Sequence, residues 1–236
     1  MSVDSIPVPV EPAAPDDLPD LDHAPAEAIL AYAIGRFTPG IAVACSMQDA
    51  VVVDLAVRHH PGIEVFFLDT GFHFPETLQM AGWLRARYDL NLVVLRPEAG
   101  TATYDRDGID ACCAARKVDP LERYLATKAA WVSGLRRDET PARAGARALE
   151  WDANRGLVKV NPLLTWTGAD VARYVTRHDL PVNPLREQGY GSIGCAPCTL
   201  PGTGREGRWA GTDKAECGLH PTAPGPAEPM TISGSR

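Results

Sequence analysis

Apolar residues recur along this chain in two rhythms, and the alternation between the two predicts its architecture. Residues 25–37 carry apolar side chains at helical spacing, with Pro25 tolerated in the first turn, and the pattern stops at Thr38-Pro39-Gly40. Short apolar runs at 41–44 (IAVA), 65–68 (VFFL) and 92–95 (LVVL) predict buried strands. Between them, 50–58 and 75–88 have helical spacing, the second opened by Pro75-Glu76-Thr77. Further on, 118–128 predicts a helix with Leu121, Tyr124 and Leu125 on one face, 130–133 a strand, and 168–178 a helix capped by Thr165-Trp166-Thr167 with Val171, Tyr174 and Val175 in the core. Strands alternating with helices predict an α/β fold, a Rossmann-like parallel sheet flanked by helices.

Composition sets the borders of that domain. Residues 1–24 are rich in proline and acids without an apolar period, which predicts a disordered arm, and 211–236 read as a flexible Pro/Gly-rich tail. The intervening 25–210 are expected to form one globular domain, since 236 residues with 45% hydrophobic content can bury a full core. A formal net charge of -7 argues against general nucleic-acid binding. There is no apolar run of the roughly eighteen residues a membrane helix needs, and no basic-then-apolar leader at the N-terminus. A cytoplasmic, membrane-free protein is therefore expected. In that reducing compartment six cysteines read as ligands, catalysts or core fillers rather than as a disulfide framework.

The candidate chemistry concentrates in GCAPCTLPGTGREGRWAGTDKAECGLH, residues 194–220. Cys195 and Cys198 form a CxxC, which lets two thiolates converge on one metal or on neighbouring irons, and the adjacent pair Cys112 and Cys113 can supply two further ligands. Adjacent cysteines point apart, which suits separate irons of a cluster better than a single zinc; a four-cysteine zinc site is the competing reading. Lys117 lies one helical turn beyond Cys113, on the same face. Cys217 stands alone in KAECGLH, where basic neighbours would stabilise a thiolate; it reads as a nucleophile or as a plain surface thiol. Cys45 reads as a small buried hydrophobe. Strand, short polar loop and helix across 41–58 make a phosphate-cradling geometry around Ser46, and Asp69-Thr70-Gly71 ends a strand at the edge where parallel sheets bind ligands.

Six blocks, CSMQDAVVVDL, LDTGFHFPET, CCAARKVDPL, WVSGLRRDETPAR, VNPLLTW and GREGRWAGTDKAECGLH, in that order within residues 41–220, closely resemble the sulfonucleotide reductases. Within that family the two cysteine pairs resemble the assimilatory adenylyl-sulfate (APS) reductases that carry a 4Fe-4S cluster rather than the cluster-free phosphoadenylyl-sulfate (PAPS) reductases. The resemblance implies an adenine nucleotide alpha hydrolase-like fold of the PP-loop type and a [4Fe-4S] cluster on Cys112, Cys113, Cys195 and Cys198. It implies that Cys217 attacks the sulfuryl sulfur of APS, expelling AMP and leaving an S-sulfocysteine from which reduced thioredoxin releases sulfite. By the same carry-over Lys117, Arg205 and Arg208 line the phosphosulfate site, and Ser46, Gln48, Asp49, Thr70, Gly134, Arg136 and Arg143 hold the nucleotide. The family loop more often has a glycine after its serine and is one residue longer; here Met47 follows Ser46. Asp69 reads equally as a strand-end cap or a nucleotide ligand, while His73, His220 and Trp209 read as packing residues. PAPS reduction on the same scaffold remains a second reading. A non-catalytic iron-sulfur sensor or nucleotide-binding regulator is a third, though it would need neither Cys217 nor the arginines of GREGRW. The sequence leaves a homo-oligomer open.

Overall fold

Strand side chains divide between two cores, as the period-two geometry of a strand requires. The computed structural model describes residues 18–214, 218 and 219. Its strands are β1 (Ile41–Ala44), β2 (Glu64–Leu68), β3 (Asn91–Leu95), β4 (Ala130–Val132), β5 (Leu149–Asp152) and β6 (Leu157–Val160). Ile41, Val43, Val65, Phe67, Val132 and Val160 enter the larger core, whereas Ala42, Phe66, Trp131 and Leu157 enter the smaller one.

The helices distribute unequally over the two faces. In chain order they are α1 (Ala26–Phe37), α2 (Val51–His59), α3 (Pro75–Tyr88), α4 (Tyr104–Cys113), α5 (Asp119–Leu125) and α6 (Gly168–His178). Residues of α1, α2 and α3 bury themselves in the larger core, with Val171, Tyr174 and Val175 of α6 packed against it. Leu121 and Leu125 of α5 supply the helical part of the smaller core. Asp54 of α2, only 2% exposed, ties three helices together: its carboxylate accepts from Arg58 at 2.7 Å, from Tyr174 Oη at 2.8 Å and from Tyr88 Oη at 3.0 Å. Burial alone would raise its pKa, but these donors bring it below the usual carboxylate value.

Strand order in the six-stranded sheet is β3-β2-β1-β4-β6-β5. All neighbours are parallel except β5, which runs antiparallel to β6. The chain therefore steps outward from β1 to β3 on one side and returns to β4 on the other. That places the topological switch point between β1 and β4, where open α/β sheets form a ligand crevice.

Three features depart from the sequence reading. The hairpin of β5 and β6 is absent from the sequence reading because each strand is only four residues long, too short for a period to stand out; Glu150 and Lys159 pair at 2.9 Å across the two strands. The domain begins before residue 25: Leu18, Leu21 and Ala24 pack against the larger core, and Asp22 accepts the Ala148 N–H at 2.8 Å and pairs with Arg137 at 2.8 Å. Finally, the helix expected from 118 is entered through α4 and a π-helical turn, Ala114–Val118, so Lys117 follows Cys113 through a widened turn rather than an α-helical one. No helix among the described residues is long and apolar enough to cross a membrane.

Candidate active site

The C-terminal ends of β1, β2 and β4 open into a cleft of about 240 Å³. Its floor is apolar, with Phe66, Trp131 and Leu121 from the smaller core. Ser46, Gln48 and Asp49 reach it from the loop after β1, Thr70 from the loop after β2, and Gly134, Arg136 and Arg143 from the segment after β4. Lys117 enters from the π-helical turn, and Cys195, Arg205 and Arg208 from the irregular segment beyond α6. All seven expected nucleotide contacts and all three expected phosphosulfate cations thus line one cleft.

The loop after β1 is shaped by a strained residue. Met47 is wholly buried yet has φ +61°, a left-handed conformation that costs a side-chain-bearing residue on the order of 1 kcal/mol. A glycine would take it without cost, which accounts physically for the resemblance's preference at this position. Asp49 Oδ1 accepts the Val51 N–H at 3.1 Å at the start of α2. Burial raises the Asp49 pKa, against that bond and the charges of Arg136 and Arg186. Gln48 is engaged within the protein, its Oε1 accepting the Ile193 N–H at 3.0 Å. Neighbouring Cys45 is buried and pushed up to about 12, an inert core thiol as its sequence context suggests.

The arginines are held before any ligand arrives. Glu139, itself in the cleft wall, pairs with Arg143 and lies 3.7 Å from the Arg136 guanidinium, which also donates to Asp138 at 3.0 Å. Arg208 donates to Ser192 Oγ at 3.2 Å, and its guanidinium carbon sits 4.5 Å from the centre of the Trp209 ring, with Arg205 at 5.7 Å from the same ring. Trp209 is 2% exposed, consistent with a packing role. Fixed cations of this kind suit an anionic ligand because they need little reorganisation when it binds.

Four of the cysteines meet beside the cleft. Cys112 and Cys113 end α4, Cys195 precedes the 3₁₀ turn Ala196–Cys198, and Cys198 closes it. Thr70 Oγ1 lies 3.2 Å from Cys195 Sγ, and Cys195 pairs with His73 in an isolated bridge. Burial raises the Cys112 pKa, helped by the charges of Cys113 and Cys195 and opposed by Arg116 and Lys117. Cys198 is raised by burial and by the other three thiols, again opposed by Lys117. Cys112 and Cys198 therefore lie within electrostatic reach of each other, of Cys113 and Cys195, and of Lys117. Among the described residues no three His, Cys, Asp or Glu side chains converge on a point suited to one ion.

Asp69 caps its strand end: one carboxylate oxygen accepts from Gly71 N–H at 3.1 Å and the other from Arg96 at 3.1 Å. His73 lines the cleft and donates through Nε2 to Leu68 O at 2.8 Å, with burial lowering its pKa. Cys217 and His220 lie outside the described residues. Leu219, which is described, lines the cleft and packs against the smaller core.

Two residues with large parts in this geometry escape sequence reading. Arg116 donates to Thr70 O at 3.0 Å and Ala102 O at 2.6 Å while stacking on Phe72 at 4.6 Å, joining the π-helical turn to the loop after β2. Asn183, wholly buried, joins the loop after β1 to the segment beyond α6. The dipeptide Asn183-Pro184 is a legible helix-cap signal, but nothing near it points to a loop more than a hundred residues earlier.

The phosphoadenosine phosphosulfate reductase domain profile matches residues 39–201. A protein named adenosine 5'-phosphosulfate reductase from Streptomyces coelicolor is 48% identical over 214 residues, covering 85% of this chain and 90% of its own length. One named phosphoadenosine 5'-phosphosulfate reductase from Gloeobacter violaceus is 43% identical, covering 84% and 89%. Among solved structures, phosphoadenylyl-sulfate reductase from Candida auris in its phosphate complex superposes with a TM-score of 0.65 at 25% identity, covering 76% of this chain and 92% of that one. A cleft at the β1/β4 switch point, the profile match through most of the domain and this degree of identity together establish that the chain belongs to the phosphoadenosine phosphosulfate reductase family.

Proposed function

We propose that this protein is a thioredoxin-dependent adenylyl-sulfate reductase of assimilatory sulfate reduction, acting in the cytoplasm. The observation that carries this reading is the single cleft in which a phosphate-type loop, Lys117, Arg205, Arg208 and one cysteine of a four-thiol group face the same space. Ser46, Thr70 and Gly134 offer polar and backbone contacts to the nucleotide. Arg136 and Arg143, held by Glu139, supply charge beside them. The 48% identity to a relative named adenosine 5'-phosphosulfate reductase supports APS as the substrate.

The nucleophile is Cys217. Its thiolate attacks the sulfur, a sulfur–sulfur bond forms, and the bond to the phosphate oxygen of AMP breaks. A thiol of reduced thioredoxin then attacks the Cys217 sulfur and expels sulfite. Its second thiol releases the enzyme, the two electrons coming from the thioredoxin dithiol. Because AMP leaves readily, the task of the protein is to bring an anionic nucleophile to an anionic sulfuryl group. Lys117, Arg205 and Arg208 reduce that repulsion.

Cys112, Cys113, Cys195 and Cys198 would hold a [4Fe-4S] cluster. An adjacent pair and a CxxC, with Cys112 near Cys113 and Cys195 and with Cys198 near the other three, fit a group whose irons each take their own thiolate. When bound, the cluster contributes charge and a rigid anchor beside Lys117. Sulfite release measured with APS and with PAPS, thioredoxin being the reductant, tests the reading. Turnover of APS far exceeding that of PAPS is expected, with about four irons and four sulfides per chain. A preference for PAPS, or stoichiometric zinc without sulfide, overturns it.

A further inference from the structure

Asn183 is 0% exposed, lies outside the cleft wall, and engages its amide and its backbone N–H in hydrogen bonds to other residues, three of them to backbone. Its Nδ2 donates to Met47 O at 3.1 Å and to Thr77 Oγ1 at 3.1 Å, and its Oδ1 accepts the Leu185 N–H at 3.1 Å, which fixes the orientation of the amide. Its own N–H donates to Gln48 O at 3.0 Å. Two consecutive carbonyls of the loop after β1 are thus held by one residue from the segment beyond α6. That hold falls at Met47, where the chain must adopt φ +61° without a glycine. The same segment meets the loop again where Asp49 bridges Val182 and where Gln48 accepts from Ile193, two residues before Cys195.

We infer that Asn183 is a positioning residue for nucleotide binding. It stabilises the left-handed turn at Met47, so that Ser46 and the first turn of α2 present their donors to the phosphate, and it links that loop mechanically to the chain that carries Cys195. A strained turn persists only where its surroundings over-determine it, and the paired bonds from Asn183 do so here. The inference rests on the nucleotide occupying this cleft.

Hydrogen exchange of the wild-type protein with and without AMP tests it directly. AMP is expected to slow exchange in 46–52 and also in 183–190, which does not line the cleft. Protection of 46–52 alone would overturn the role of Asn183 while leaving the nucleotide site intact. Protection of neither would overturn the site itself. Substitution gives the second readout. Asn183→Ala is expected to weaken AMP binding and raise KM for APS about tenfold, the effect of roughly one buried hydrogen bond, with kcat changed less than about twofold. Thr77→Val removes the partner of Asn183 that lies away from the loop, so it should leave AMP affinity within about twofold even where it lowers the melting temperature. Equal weakening by both substitutions, or a fall in active fraction with KM unchanged, would show that Asn183 acts only through general packing.

Discussion

The strand ends and the segment 192–208 both contribute to the cleft, but different forces hold them there. Ser46, Thr70 and Ser133 follow directly on β1, β2 and β4, and so inherit their positions from the parallel ladder and the two cores behind it. The segment beyond α6 contributes none of its buried residues from Leu185 to Trp209 to either core. Its shape comes from backbone pairs between close neighbours: Leu200 N–H to Gly207 O at 2.8 Å, Trp209 N–H to Cys198 O at 2.9 Å, and Gly191 N–H to Gly202 O at 2.9 Å. A region held by apolar volume tolerates swaps that conserve volume. One held by backbone contact at glycines does not tolerate a single methyl group.

The sharpest way to break this contrast is Gly207→Ala. Its Cβ would overlap the Leu200 carbonyl, which is backbone and cannot swing aside. We expect the folded form of the cysteine loop to lose about 3 kcal/mol, roughly a hundredfold in population, with sulfite release and iron content falling together. Far-UV circular dichroism should stay near wild type, because the sheet cores are untouched. Retained iron and activity would mean that the loop adapts as a core does.

Gly194→Ala should have a smaller and more local effect. A Cβ there stands 2.5 Å from the Arg208 guanidinium carbon, the far end of a flexible side chain that can move away. Losing one aligned cation should lower kcat/KM about tenfold or more while the melting temperature changes by no more than about 2 °C. A large thermal shift with unchanged kinetics would contradict the assignment of Arg208 to the cleft.

On the scaffold side, Asp54→Asn should affect stability and spare KM. The folded-state pKa of Asp54 is lowered, so its charged form contributes stability above the unfolded value near 3.8, and that contribution is lost as pH falls through the lower folded value. The substitution is expected to cost about 2 kcal/mol at pH 7 and progressively less below about pH 4, measured by urea denaturation across pH. A cost independent of pH would show that the Asp54 charge is not what joins α2, α3 and α6.

The same contrast explains what can be read from the chain alone. Apolar period exposes β1 to β4 and the helices packed on them, and motif residues such as Ser46, Thr70, Arg205 and Arg208 line one cleft. The β5–β6 hairpin stays hidden because each of its strands is only four residues long, too short for a period to stand out. The π-helical turn leaves no periodic trace over its five residues. Asn183 is illegible for a deeper reason. Its partners are backbone carbonyls at Met47 and Gln48, and a carbonyl carries no residue identity for a pattern to detect.

The central claim is that Cys217 accepts the sulfuryl group. Wild-type protein mixed with APS in the absence of thioredoxin should release one AMP per site and retain the sulfur as a sulfonate adduct. Intact mass followed by peptide mapping should locate that adduct on the Cys217 peptide, and Cys217→Ser should bind AMP yet form no adduct and release no sulfite. An adduct on any other cysteine, or near-normal turnover by the serine variant, would contradict the account.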